Sequence, residues 1–182
     1  MRFLIPLCLC ALQLAALFTS SAFAHQGPDP VAHWFFSKTT IEGDRIKPRL
    51  GPETLVKGSP TYIEDKFGGA LGFDGADDHL IVPADANDLA NRLPLEFITV
   101  AATLTVDRPR AGAAVISLAQ IHGEGKKGWL LGYNKRAFRF GLASLDCDDG
   151  NGHMTIIEAK SPLVPGRSHR VVATYDGRQM RL

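Results

Sequence analysis

The chain has 182 residues, 45% of them hydrophobic, with 20 Lys and Arg against 19 Asp and Glu and a formal net charge of +1. This near-neutral balance lacks the basic footprint of a nucleic-acid binder, no basic stripe interleaved with aromatics is present, and charge-driven adhesion to anionic membranes is equally unsupported. The length suits one domain whose core holds without disulfide staples.

At the N-terminus Arg2 precedes an apolar run from Phe3 to Leu17, and small and polar residues follow as far as Ala22-Phe23-Ala24. The pattern predicts a signal peptide over residues 1–24, cleaved after Ala24, and a secreted or periplasmic product. The run is shorter than the ~20 residues a spanning helix needs, and Gln13 interrupts it, so no stable membrane insertion is expected after cleavage. Arg2 is the only charge lost with the signal, which leaves the mature chain formally neutral. Cys8 and Cys10 leave with it too. Cys147 remains, either as a small buried hydrophobe or as the partner of a cysteine further along a longer chain.

Residues 25–30 read as a linker. From Val31 onward the apolar period is two. In Ile98–Val106 the residues Ile98, Val100, Ala102, Leu104 and Val106 alternate with Thr99, Ala101, Thr103 and Thr105. His169–Tyr175 repeats the pattern with Val171, Ala173 and Tyr175 on one side, and both predict half-buried antiparallel strands. Shorter runs at Ala32–Phe36, Ala70–Phe73, Leu80–Val82, Ala113–Ala119, Trp129–Tyr133, Phe138–Leu142 and Met154–Ile157 are separated by Gly, Pro, Asn and Asp clusters, the spacing of a sandwich or barrel. Asn134-Lys135-Arg136 joins two of them. Asp176-Gly177 is the strongest hairpin signal, and the chain stops soon after it, inside what reads as an unfinished second strand. A single helical turn is expected near Ala84–Arg92, capped by Asp85.

Five segments in this order, GGALGFDGADDHLIVP, FITVAATLTV, KKGWLLGY, FRFGLAS and HRVVATYDGRQMRL, resemble the laminin G-like, or concanavalin A-like, domains of secreted bacterial proteins. The resemblance covers 31–182 and implies an all-β antiparallel jelly-roll sandwich. It also implies that the last strands lie beyond Leu182, because the first strand, Val31–Phe36, otherwise lacks a neighbour for its backbone groups. In Phe73-Asp74-Gly75 the aromatic is expected in the core, with Gly75 giving the backbone freedom for the bend.

Catalytic groups are not evident. The Glu-x-Asp-x-x-Glu pattern that places two carboxylates on one glycosidic bond is approached only by Glu42-Gly43-Asp44, where Lys47 occupies the third position and TTIEGDRIK reads as a polar loop turning at Gly43. Six histidines, at 25, 33, 79, 122, 153 and 169, show no metal-ligand spacing. The acidic loop Asp146-Cys147-Asp148-Asp149-Gly150 has the carboxylate density to hold calcium, with Asp146, Asp148 and Asp149 as ligands, although a solvated turn explains it equally well. Asp74, Asp77 and Asp78 read as turn-capping carboxylates. Trp34 and Tyr175 fit core positions. Trp129 and Tyr133, next to the acidic loop in sequence, are the candidate face for stacking on a sugar ring, with core packing as the alternative.

What the resemblance implies is a secreted, non-catalytic recognition or adhesion module for a glycan or an extracellular protein. The alternatives are an N-terminal accessory domain of a larger secreted hydrolase whose active site lies past Leu182, and a structural interaction domain without a ligand.

Overall fold

The computed structural model describes residues 30–65, 68–83, 97–120, 127–143 and 153–182. These form strands, turns and irregular connections, with no helix among them. The expected turn at Ala84–Arg92 lies outside the described residues, as does the loop 144–152. No helix among the described residues is long and apolar enough to cross a membrane. The contacts gather the chain into two compact units, divided after Pro83.

In the first unit, β1 (Ile41–Glu42), β2 (Arg45–Ile46), β3 (Thr54–Lys57) and β6 (His79–Ile81) form one antiparallel sheet in the order β1-β2-β3-β6. β4 (Thr61–Asp65) and β5 (Gly68–Gly72) form a separate hairpin in which Thr61 pairs with Gly72. The segment expected as a polar loop is the β1–β2 hairpin. Gly43 has φ of +60° while Asp44 keeps a negative φ, the pattern of a type II′ turn, and the Lys47 ammonium meets Glu42 at 2.7 Å across it. Two-residue strands with polar flanks leave no alternation to read.

Ala32–Phe36, expected as a strand, is not one. A lone bridge joins His33 to Leu50, and Thr40 Oγ1 donates to the Phe35 carbonyl while accepting the Ser37 amide, so local hydroxyls take backbone groups a ladder would otherwise use. The Phe35 ring rests over Gly68, where a Cβ would collide with it. Trp34, half-buried, donates its indole N–H to the Pro52 carbonyl at 3.0 Å. Ile46 is fully buried beside Thr54, whose hydroxyl is enclosed without a hydrogen-bond partner.

The second unit follows the alternation closely. β7 (Ile98–Thr105) pairs with β12 (Ser168–Tyr175) over all eight residues, and β13 (Met180–Arg181) closes the hairpin predicted at Asp176-Gly177. The turn is held by Asp176 Oδ1, which accepts the amides of Arg178 and Gln179, with Gly177 at φ of +80°. β8 (Ala113–Gln120), β9 (Lys127–Tyr133), β10 (Phe138–Ala143) and β11 (Thr155–Glu158) form a four-stranded antiparallel sheet in the order β11-β10-β9-β8. At the predicted Asn134 turn, the side-chain carbonyl accepts the amides of Arg136 and Ala137.

One apolar cluster draws from both sheets: Ile98, Val100, Val171 and Ala173 from the first, Leu131, Phe138 and Phe140 from the second, with Val106 and Leu163 beside them. The two sheets of this unit therefore face each other as a sandwich. Phe138 meets the His169 ring edge-on at 5.2 Å and the Tyr133 ring at 6.4 Å. Burying a side chain such as Phe140, which has no exposed surface, is worth about 2–3 kcal/mol.

Candidate functional site

The residues that converge on a concave surface lie in the first unit, between the connection after β3 and the loop joining β5 to β6. Gly58 starts the first connection with φ of +76°, and Gly75 bends the second with φ of +79°. Asp78 ties the two together. Its Oδ1 accepts the Ser59 amide at 2.6 Å and its Oδ2 accepts the Asp74 amide at 2.9 Å. Asp74 closes a smaller ring, Oδ1 accepting the Ala76 amide at 2.7 Å, and the Asp77 carbonyl lies 2.7 Å from His79 Nδ1.

The result is an open depression of about 350 Å³. Ser59, Thr61 and Gly72 line it together with Phe73 and the three aspartates. Phe73 does not enter the core as expected. It is 45% exposed, because the chain leaves β5 at Gly72 and turns at once, so the side chain that alternation would have pointed inward lands in the loop. One carboxylate oxygen from each of Asp74, Asp77 and Asp78 lies within 4.8 Å of the others.

Asp74 is held below the ordinary aspartate value of 3.8, chiefly by the Ala76 amide, with the Asp78 and Asp77 amides adding to it. It stays ionised at any pH near neutrality. Three single oxygens fall short of the six to eight that calcium takes, and both Asp78 oxygens already accept amides, so the cluster by itself is an anionic hydrogen-bonding wall rather than a closed metal cage.

Trp129 and Tyr133 are placed differently. They share the face of β9 that carries the fully buried Leu131, and both are half-buried and packed against the apolar cluster of the second unit. They lie four residues apart along one strand, about 13 Å. Tyr175, likewise half-buried, packs against the same cluster. Asp146, Cys147, Asp148 and Asp149 lie outside the described residues. Glu42 and Asp44 sit in the β1–β2 hairpin, with Glu42 engaged by Lys47.

Ser59 and Thr61 are lining residues to which no motif in the sequence points, and Phe73, expected in the core, lines the hollow instead. The only local signals were the glycines at 58 and 75. What brings the two loops together is the β3–β6 pairing, with Lys57 opposite His79. Comparison of the chain with protein-family models, with curated proteins and with solved structures returned no match.

Proposed function

We propose that the protein is a secreted, non-catalytic recognition module with a concanavalin A-like jelly-roll fold, and that it binds glycans at the Phe73 depression. One observation carries the reading: an exposed aromatic ring stands beside three carboxylates and two side-chain hydroxyls around one open hollow. A pyranose has an apolar face that stacks on an aromatic ring and an equatorial belt of hydroxyls that donate to carboxylates. The aspartates of the hollow supply acceptors, and the Ser59 and Thr61 hydroxyls act as donors or acceptors as the sugar requires. Since the Asp78 oxygens are taken up by backbone amides and the Asp74 carboxylate is drawn to those of Ala76, Asp78 and Asp77, the Asp77 carboxylate is the one to receive sugar hydroxyls.

The alternation of β7 and β12 and the two sheets around one core support the sandwich part of the proposal. The signal-like N-terminus supports secretion. Trp129 and Tyr133, packed on a core face, serve as structural aromatics in this reading.

The test is titration calorimetry of the whole chain against a panel of neutral and amino-sugar oligosaccharides. Binding to at least one member is expected, with loss on Phe73→Ala and retention in a variant altered in the second unit, Lys135→Ala. Absence of heat with every glycan, or binding unaffected by Phe73→Ala, removes the proposal.

A further inference from the structure

The β4–β5 hairpin has two unlike faces. Tyr62 and Leu71, paired across it, are half-buried, and the Tyr62 hydroxyl donates to the Gly68 carbonyl at 3.2 Å. The opposite face carries Thr61 and Ile63 from β4 with Ala70 and Gly72 from β5, since successive side chains of a strand alternate. Thr61, Ile63 and Ala70 are exposed, and none of the four residues is charged. A strand face turned to water ordinarily carries polar side chains, yet Ile63 is 51% exposed.

An isolated exposed isoleucine needs no explanation. Ile63 is not isolated. Its Cδ1 lies 3.0 Å from the point where a Cβ on Gly72 would stand, so the side chain leans along the hairpin toward Gly72. Gly72 lines the hollow, and Phe73, the next residue, lines it too. Ile63, the bare backbone of Gly72 and the Phe73 ring therefore follow one another as an apolar strip that starts in the hollow and runs out over the hairpin. Thr61, directly opposite Gly72, sets a hydroxyl beside it. Two strand residues span about 7 Å, roughly the length of one pyranose unit, so the strip adds room for one ring beyond the ring at Phe73.

We propose that this strip is a second subsite, and that the ligand is a glycan chain of at least two linked sugars rather than a terminal monosaccharide. The inference rests on the glycan reading of the hollow, and continuity with the hollow is what selects the occupant. With one ring held on Phe73, its linked neighbour passes over Gly72, where no side chain stands in the way, and covers Ile63 with its apolar face. The Thr61 hydroxyl lies between the two rings and meets a sugar hydroxyl near the linkage.

Titration of the whole chain with glucose and N-acetylglucosamine oligomers of one to four β-1,4-linked units tests this. In the series that binds, affinity is expected to rise at least about tenfold from the monosaccharide to the longer oligomers, the factor that covering the exposed half of an isoleucine supplies. Ile63→Thr, which keeps a β-branched residue suited to the strand, should remove most of that rise and leave the monosaccharide affinity unchanged. A nuclear magnetic resonance measurement on the unaltered protein needs no variant: the Ile63 Cδ1 methyl signal should shift on addition of the tetramer and not of the monosaccharide. A monosaccharide bound as tightly as its tetramer, a rise untouched by Ile63→Thr, or a silent Ile63 methyl overturns the second subsite while the Phe73 hollow stands. Binding of no member removes the glycan reading and this inference together.

Discussion

Gly58 and Asp78 stand so close that no side chain fits between them: a Cβ on Gly58 would lie 2.8 Å from the Asp78 Cα and would collide with the carboxylate. The φ of +76° at Gly58 adds a backbone reason for glycine. Gly58→Ala should therefore destabilise the first unit by about 1–2 kcal/mol from the left-handed backbone alone, and more once Asp78 is displaced. Urea denaturation with the Asp78→Asn variant as reference measures it.

Removing the carboxylate that ties the two loops has a separable effect. Asp78→Ala leaves the Ser59 and Asp74 amides without their protein acceptor, and a loss of about 1 kcal/mol or a little more is expected. Asp78→Asn keeps one carbonyl acceptor and should fall between the two. Glycan affinity should drop in both variants, since the hollow is built on this carboxylate, and calorimetry against the ligand of the parent protein would show it.

The two aromatics Phe73 and Trp129 should respond oppositely. Phe73→Ala removes an exposed ring and should leave the melting temperature within about 1–2 °C of the parent while abolishing glycan binding. Trp129→Ala removes a ring packed on the apolar cluster, and a cost of about 3 kcal/mol is expected. Circular dichroism melts of the two variants side by side decide the assignment; a Trp129→Ala protein of unchanged stability with lost binding would move the site to β9.

Acid should weaken the protein through Asp74 and Asp176. Both are held below the ordinary value of 3.8, Asp74 chiefly by the Ala76 amide and Asp176 chiefly by the Gln179 amide, then by the Arg181 guanidinium. A carboxylate whose folded pKa is depressed lends stability that is fully present above its unfolded pKa and lost as pH falls through the folded one. The melting temperature should accordingly hold from neutrality to about pH 5 and decline below about pH 4. Asp176→Asn should flatten that decline, as a pH series of melts on both proteins would reveal.

How much of this was legible in the sequence differs between the two units. In the second, eight-residue strands alternate strictly, so Ile98, Val100, Val171 and Ala173 could be placed on a buried face from spacing alone, and the Asn134 and Asp176 turns carry side chains that bond their own backbone. In the first, β1 and β2 have two residues each, too few to show a period, and the aromatic run at Trp34–Phe36 reads as a strand although the Phe35 carbonyl and the Ser37 amide are taken by the Thr40 hydroxyl. Asp74, Asp77 and Asp78 were legible as turn-capping groups. Phe73 beside them was misplaced because alternation says nothing about where a strand ends.

The all-β character, the period-two faces of the long strands and the position of the tight turns follow from the sequence alone, because all of these rest on contacts within a few residues of one another. Which strands share a sheet, that β7 and β10 bury their faces in one core, and that Ser59 meets Asp78 across nineteen positions of chain are set by long-range packing. Those pairings close long loops, and their free energy comes from packing and hydrogen bonds between segments that no local pattern encodes.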